Sequence, residues 1–113
     1  MPKATKAVTA EVGSGNVFAD LGLPNAEELN TKLRLCVVIN KILADRKLTQ
    51  AEAARVLGVN QPKISALKSY KLEGFSVERL MHFATALEHD VLIEIRPRRK
   101  STRAARVLVV GAA

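Results

Sequence analysis

The stretch LTQAEAARVLGVNQPKISALK, Leu48 to Lys68, constrains the fold more than any other part of the chain. Thr49 followed three residues later by Glu52 makes a capping box, which opens a helix from about Gln50 to Leu57. Gly58 ends it, because glycine takes a positive φ without steric cost. Asn60 can cap a second helix running to about Ser69, and Pro62 sits early enough in it that its missing N–H is not needed. Two short helices joined by a glycine turn cross at a steep angle, so the residues at the crossing must be small or aliphatic. Ala54, Gly58, Val59, Ile64 and Leu67 meet that requirement at fixed offsets from Gln50. With Ile64 and Leu67 turned inward, the residues shown to the outside are Asn60, Gln61, Lys63, Ser65, Lys68 and Ser69.

The rest of the chain organises around this pair. Residues 1–16 are poor in bulky apolar side chains and contain GSGN, so they read as a flexible N-terminal segment. Val17, Phe18, Leu21 and Leu23 form a short apolar cluster that needs a surface to bury against. Asn25 and Glu28 make a further capping box, opening a helix to about Arg46. Its polar positions, Glu27, Asn30, Arg34, Lys41 and Asp45, share one narrow strip, and apolar residues spread over more than half of the circumference. That helix is therefore expected to pack on more than one side, with Cys36 as a small core residue. Gly74 is expected to supply the turn in KLEGF. Ser76 caps a last helix to about Glu88, with Val77, Leu80, Met81, Ala84 and Leu87 on its buried face.

Val91, Ile93 and Ile95 alternate with Leu92, Glu94 and Arg96, the period-two pattern of a strand. A lone strand leaves its backbone groups unpartnered. Three partners are open to Val91, Leu92, Ile93, Glu94 and Ile95: the same strand of a second subunit about a two-fold axis, a partner protein's sheet edge, or RVLVV at Arg106–Val110.

Charge points to nucleic acid, but its distribution matters more than its sum. The 113 residues carry a formal charge of +7. Residues 1–24 are neutral, 25–95 hold ten basic against nine acidic residues, and Arg96, Arg98, Arg99, Lys100, Arg103 and Arg106 stand in a tail without acids. Within the central part no acidic residue occurs between Arg55 and Lys71, which leaves Lys63, Lys68 and Lys71 as a local basic patch able to attract phosphates.

Catalysis finds little support. The His residues, His82 and His89, fall on the polar face of the last helix with Glu78 and Thr85, and Glu78 and His82 are one turn apart, the spacing of a pair interaction. No Ser–His–Asp set, carboxylate pair or phosphate-binding glycine loop occurs, no metal site or cofactor is expected, and one cysteine forms no internal disulfide. The longest aliphatic run, Leu35 to Ile39, is too short to span a bilayer, so a soluble cytoplasmic protein is expected, nucleoid-associated when bound to DNA.

The five spaced residues around Gly58 resemble the DNA-binding helix-turn-helix of the phage-repressor-like XRE, or Cro/C1, family. The resemblance implies a mainly α, helix-turn-helix bundle of four to five helices, spanning 17–96 and followed by a C-terminal β-strand that pairs in a dimer, with 97–113 as a basic tail. It also implies that Gln61, with Lys63 and Ser65 beside it, reads bases in double-stranded DNA, while Gln50 meets a backbone phosphate. Asn60, Lys68, Ser69 and Lys71 complete the expected DNA-binding set, and the dimer would match a palindromic operator. Pro62 departs from the polar residue often found there. The segments GSGNVFADLGLPNAEEL, LTQAEAARVLGVNQPKISAL, LEGFSVERL and VLIEIRP, in this order, are similar to HigA-like antitoxins of type II toxin–antitoxin pairs. That likeness implies an autorepressor neutralising a small basic RelE/HigB-like ribonuclease toxin. The over-wide apolar surface of the first helix and the Val17–Leu23 cluster would suit such a partner, although the cluster would equally serve as a staple over the domain's own core. A stand-alone phage-type or host XRE regulator is the alternative, and a toxin-binding adaptor with a vestigial DNA role is a third reading.

Overall fold

Thr49 fixes the start of the central helix pair: its hydroxyl accepts from the Glu52 N–H at 3.1 Å, and the Glu52 carboxylate accepts from the Thr49 N–H at 2.9 Å. The computed structural model containing this box describes residues 25–98 and 106–111. The expectations for residues 1–16, for Val17, Phe18, Leu21 and Leu23, and for Arg99, Lys100 and Arg103 lie outside the described residues.

Among the described residues the fold is all-α, with four helices: α1, Ala26–Arg46; α2, Gln50–Leu57; α3, Gln61–Lys68; and α4, Val77–Ala86. α1 packs chiefly on α4 and α2 on α3, while α1 also meets α3 and α2 meets α4. One core results. Cys36, Ile39 and Leu43 of α1 meet Ala53, Ala54 and Leu57 of α2, Ile64 and Leu67 of α3, and Leu80, Phe83 and Leu87 around α4. Phe83 is buried there and meets Phe75 edge-to-face at 5.9 Å, whereas Val77 and Met81 are only half-buried. Two side chains stitch helix ends to α1: Asn40 donates to the Leu67 carbonyl at 3.1 Å, and Arg46 to the Leu87 carbonyl at 2.7 Å.

Two local features differ from the sequence reading. Asn25 caps nothing with its side chain: it sits in the left-handed region at φ 56°, and Glu28 turns forward to Lys32 at 3.6 Å instead of back to Asn25. Gly74 does stand in the turn of KLEGF, with Glu73, closed by the Phe75 N–H donating to the Leu72 carbonyl at 3.1 Å, and a positive φ of 59° occurs just ahead of that segment at Tyr70. Glu78 and His82 stay exposed without bonding to one another.

α1 is packed on more than one side, as its apolar spread requires. The polar strip is itself divided: Asn30 and Arg34 are 5% and 8% exposed, while Glu27, Lys41 and Asp45 face solvent. Cys36 is fully buried, and desolvation pushes its thiol up to about 11, against a weaker opposing pull from Lys32.

The C-terminal strand is corrected at the level of the single chain. No strand occurs among the described residues, because Val91–Ile95 finds no second strand to pair with. Its alternative intramolecular partner is engaged elsewhere, since the Val107 N–H donates to the Glu27 carboxylate of α1 at 2.7 Å. Leu92, Ile93 and Ile95 are 87%, 74% and 91% exposed, so neither alternating face is covered. Glu94 and Arg96 form a two-point ion pair, at 2.8 and 3.2 Å, which holds the Glu94 carboxyl below its usual range. Contact between residues two apart is the neighbour relation of an extended backbone.

Candidate nucleic-acid interface

α2 and α3 are held at their crossing by what the sequence lacks there as much as by what it has. Gly58 takes φ 70°, and its N–H donates to the Arg55 carbonyl at 3.3 Å, while the Val59 N–H reaches back to Ala54 at 3.0 Å. Ala54 is buried at the crossing, Val59 packs half-buried against the core, and Ile64 and Leu67 point fully inward. A helix anchored by Ile64 and Leu67 must present its opposite side to solvent.

Gln61, Ser65 and Lys68, spaced four and three residues apart, form one exposed row along that side, with Pro62 and Ser69 exposed beside them. Gln50 is exposed at the first position of α2, and Lys71 is exposed just beyond α3. The structure therefore gathers Gln61, Ser65, Lys68, Ser69 and Lys71 at and after α3. Asn60 is exposed too, but its side-chain oxygen is taken up as the N-cap of α3, accepting from the Lys63 N–H at 2.9 Å. That bond fixes its amide at the start of the helix.

Lys63 departs from the expected outward set. It is half-buried, its ammonium donates to the Gly74 carbonyl at 2.9 Å, and it lies over the Phe75 ring, 4.9 Å from the centroid. The physical reason is angular: Lys63 sits about 140° around the helix from Lys68, on the flank facing the α3–α4 connection. There the ammonium finds a carbonyl and an aromatic face within reach, and the buried Phe75 is fixed by Phe83. Lys63 thus ties the exposed helix to the loop that follows it.

Sequence reasoning missed this clasp and missed Tyr70. An aromatic between two lysines in KSYK was the available signal for Tyr70, which is 43% exposed at the end of α3. Nothing in the local pattern pairs Lys63 with Gly74, because the pairing depends on how the loop folds back.

The surface carries hydrogen-bonding amides, hydroxyls and ammonium groups on one protruding helix, which suits base edges and phosphates in a groove. Among the described residues no group of three or more His, Cys, Asp or Glu side chains could hold a metal ion, and no helix is long and apolar enough to cross a membrane.

Comparison with known proteins agrees with this geometry. The sequence model described as "Helix-turn-helix domain" matches residues 17–96. A solved structure titled "Putative XRE Family Transcriptional Regulator" is similar at 56% identity, with a TM-score of 0.75, covering 79% of this chain and 100% of that one. No curated protein matches.

Proposed function

The chain belongs to the helix-turn-helix domain family, a non-enzymatic family of DNA-binding transcriptional regulators, and from that membership we propose that it is a sequence-specific repressor of the XRE type whose α3 enters the major groove. The observation that carries this reading is the exposed row Gln61, Ser65 and Lys68 on a helix whose other side is locked by Ile64 and Leu67. Gln61 reads a base edge, where an amide can bond adenine at two points. Ser65 and Asn60 lie beside it. Gln50, Lys68, Ser69 and Lys71 meet phosphates, and Lys63 positions α3 through Gly74 in place of reading a base.

The repressor acts as a homodimer on a palindromic operator. Support comes from Val91–Ile95, whose exposed apolar residues and unpaired backbone suit antiparallel pairing with the same segment of a second copy. Such pairing would set two copies of α3 one DNA turn apart, about 34 Å. Sedimentation or light scattering at micromolar concentration tests the dimer, and a monomer with residues 91–95 intact would overturn it.

The finer role is that of an antitoxin that represses its own operon and binds a small basic RelE/HigB-like ribonuclease toxin. It rests on the likeness of GSGNVFADLGLPNAEEL, LTQAEAARVLGVNQPKISAL, LEGFSVERL and VLIEIRP to HigA-like antitoxins. A stand-alone regulator would share the DNA interface and lack the partner. Co-expression with the product of the neighbouring gene separates the two: a stable complex of the two products supports the antitoxin, and their failure to associate favours the stand-alone regulator.

A further inference from the structure

The segment Val107–Gly111 lies along α1 and is held there by more than apolar contact. At one end the Val107 N–H donates to the Glu27 carboxylate at 2.7 Å, in the first turn of α1. At the other end Gly111 is buried so closely against α1 that an added Cβ would overlap a Val38 methyl. Val38 is β-branched, so that methyl has little freedom to withdraw. Between these points Val109 is half-buried and packs against the core cluster, as do Leu33 and Val38 of α1.

Spacing supports a defined register. Val109 and Gly111, two residues apart as extended backbone places one face, turn inward, while Val107, Leu108 and Val110 stay exposed, so Val107 is held through its backbone N–H and not its side chain. Four extended residues span about 13 Å, and the eleven helical steps from Glu27 to Val38 span about 17 Å, a difference that the reach of the Glu27 side chain can take up. The segment therefore runs beside α1 in the same direction. The match of the helix-turn-helix family ends at residue 96, so the segment is an addition to the domain and covers a surface the domain already possesses.

We infer that this face of α1 is a groove for an extended apolar peptide, and that its occupant is the chain's own C-terminus, bound in cis. Two determinants select the peptide: a backbone N–H presented to Glu27, and a residue without a side chain opposite Val38. The groove fits an extended run with an apolar residue at the position of Val109 and glycine two residues later, which VLVVG supplies.

The test uses the full-length protein and amide hydrogen exchange resolved by residue. The Val107 amide is expected to be protected relative to an unstructured peptide, and that protection is expected to disappear in both Glu27→Ala and Gly111→Val. Circular dichroism should show the helices intact in each variant. Exchange of the wild-type Val107 amide at the unstructured rate would overturn the proposal, and so would protection unchanged in both variants. Mixed isotope-labelled and unlabelled protein then separates the two sources of the occupant. Proximity of Val38 and Gly111 within one chain supports docking in cis, and proximity only between chains would overturn it in favour of exchange between two copies.

Discussion

The Lys63 ammonium donates to the Gly74 carbonyl at 2.9 Å, so the exposed helix α3 is braced by the loop that follows it. A lysine engaged in this way acts differently from one that reads a base. Lys63→Met is expected to lower the unfolding free energy by roughly 1 kcal/mol, the scale of a cation–π contact and one hydrogen bond together. The ranking of DNA sequences should be preserved. Gly74→Ala, whose Cβ would stand 2.8 Å from the ammonium, should displace the side chain and give a similar shift with the charge retained. If Lys63→Met leaves stability untouched and relaxes preference at one base pair, Lys63 is a reading residue.

Gly58 has no atom within 4 Å of an added Cβ, so its requirement is conformational and not steric crowding. At φ 70°, Gly58→Ala is expected to cost roughly 1–2 kcal/mol, and Gly58→Asn less, because asparagine tolerates the left-handed region better. Equilibrium denaturation checks the order of the two variants.

Burial holds the Cys36 thiol at about 11, against 9.0 for the free group. The unfolded chain therefore loses its thiol proton first as pH rises. The contribution is fully present below pH 9 and declines between 9 and about 11. A shift of that size amounts to roughly 2–3 kcal/mol. Cys36→Ala should be less stable at neutral pH and should lack this component of the alkaline decline. In the wild type a thiol reagent should react only on unfolding.

The tail charges have a separate signature. Replacing Arg99, Lys100 and Arg103 with Gln is expected to weaken binding to all DNA alike and to lower the salt slope by roughly 0.9 for each phosphate that is no longer neutralised. An unchanged slope would remove the tail from the DNA interface.

Much of the fold was legible because the decisive signals are local. Thr49, Gly58, Asn60 and Ser76 each set a helix boundary through bonds within a few residues, and the helices begin where those residues place them. The inward set Ala54, Ile64 and Leu67 followed from helical period alone. What escaped depends on the approach of distant segments. Lys63 and Gly74 meet only because the loop returns to α3, and Val107 reaches Glu27 across 80 residues. Asn25 looked like a cap by type and spacing, but with its backbone in the left-handed region its side chain makes no capping bond. The alternation at Val91–Ile95 specifies an extended segment without specifying its partner, and one chain does not provide it.

The central claim is that α3 reads DNA through Gln61. It is tested most directly by measuring the binding of wild type and Gln61→Ala to a selected operator and to every single-base variant of it, at one fixed salt concentration. Wild type is expected to lose roughly 1–3 kcal/mol at each base pair it reads. Gln61→Ala should lose discrimination at one position in each half-site and keep it elsewhere. A wild-type protein that binds all the variants equally, or a Gln61→Ala profile that matches wild type at every position, would contradict the account.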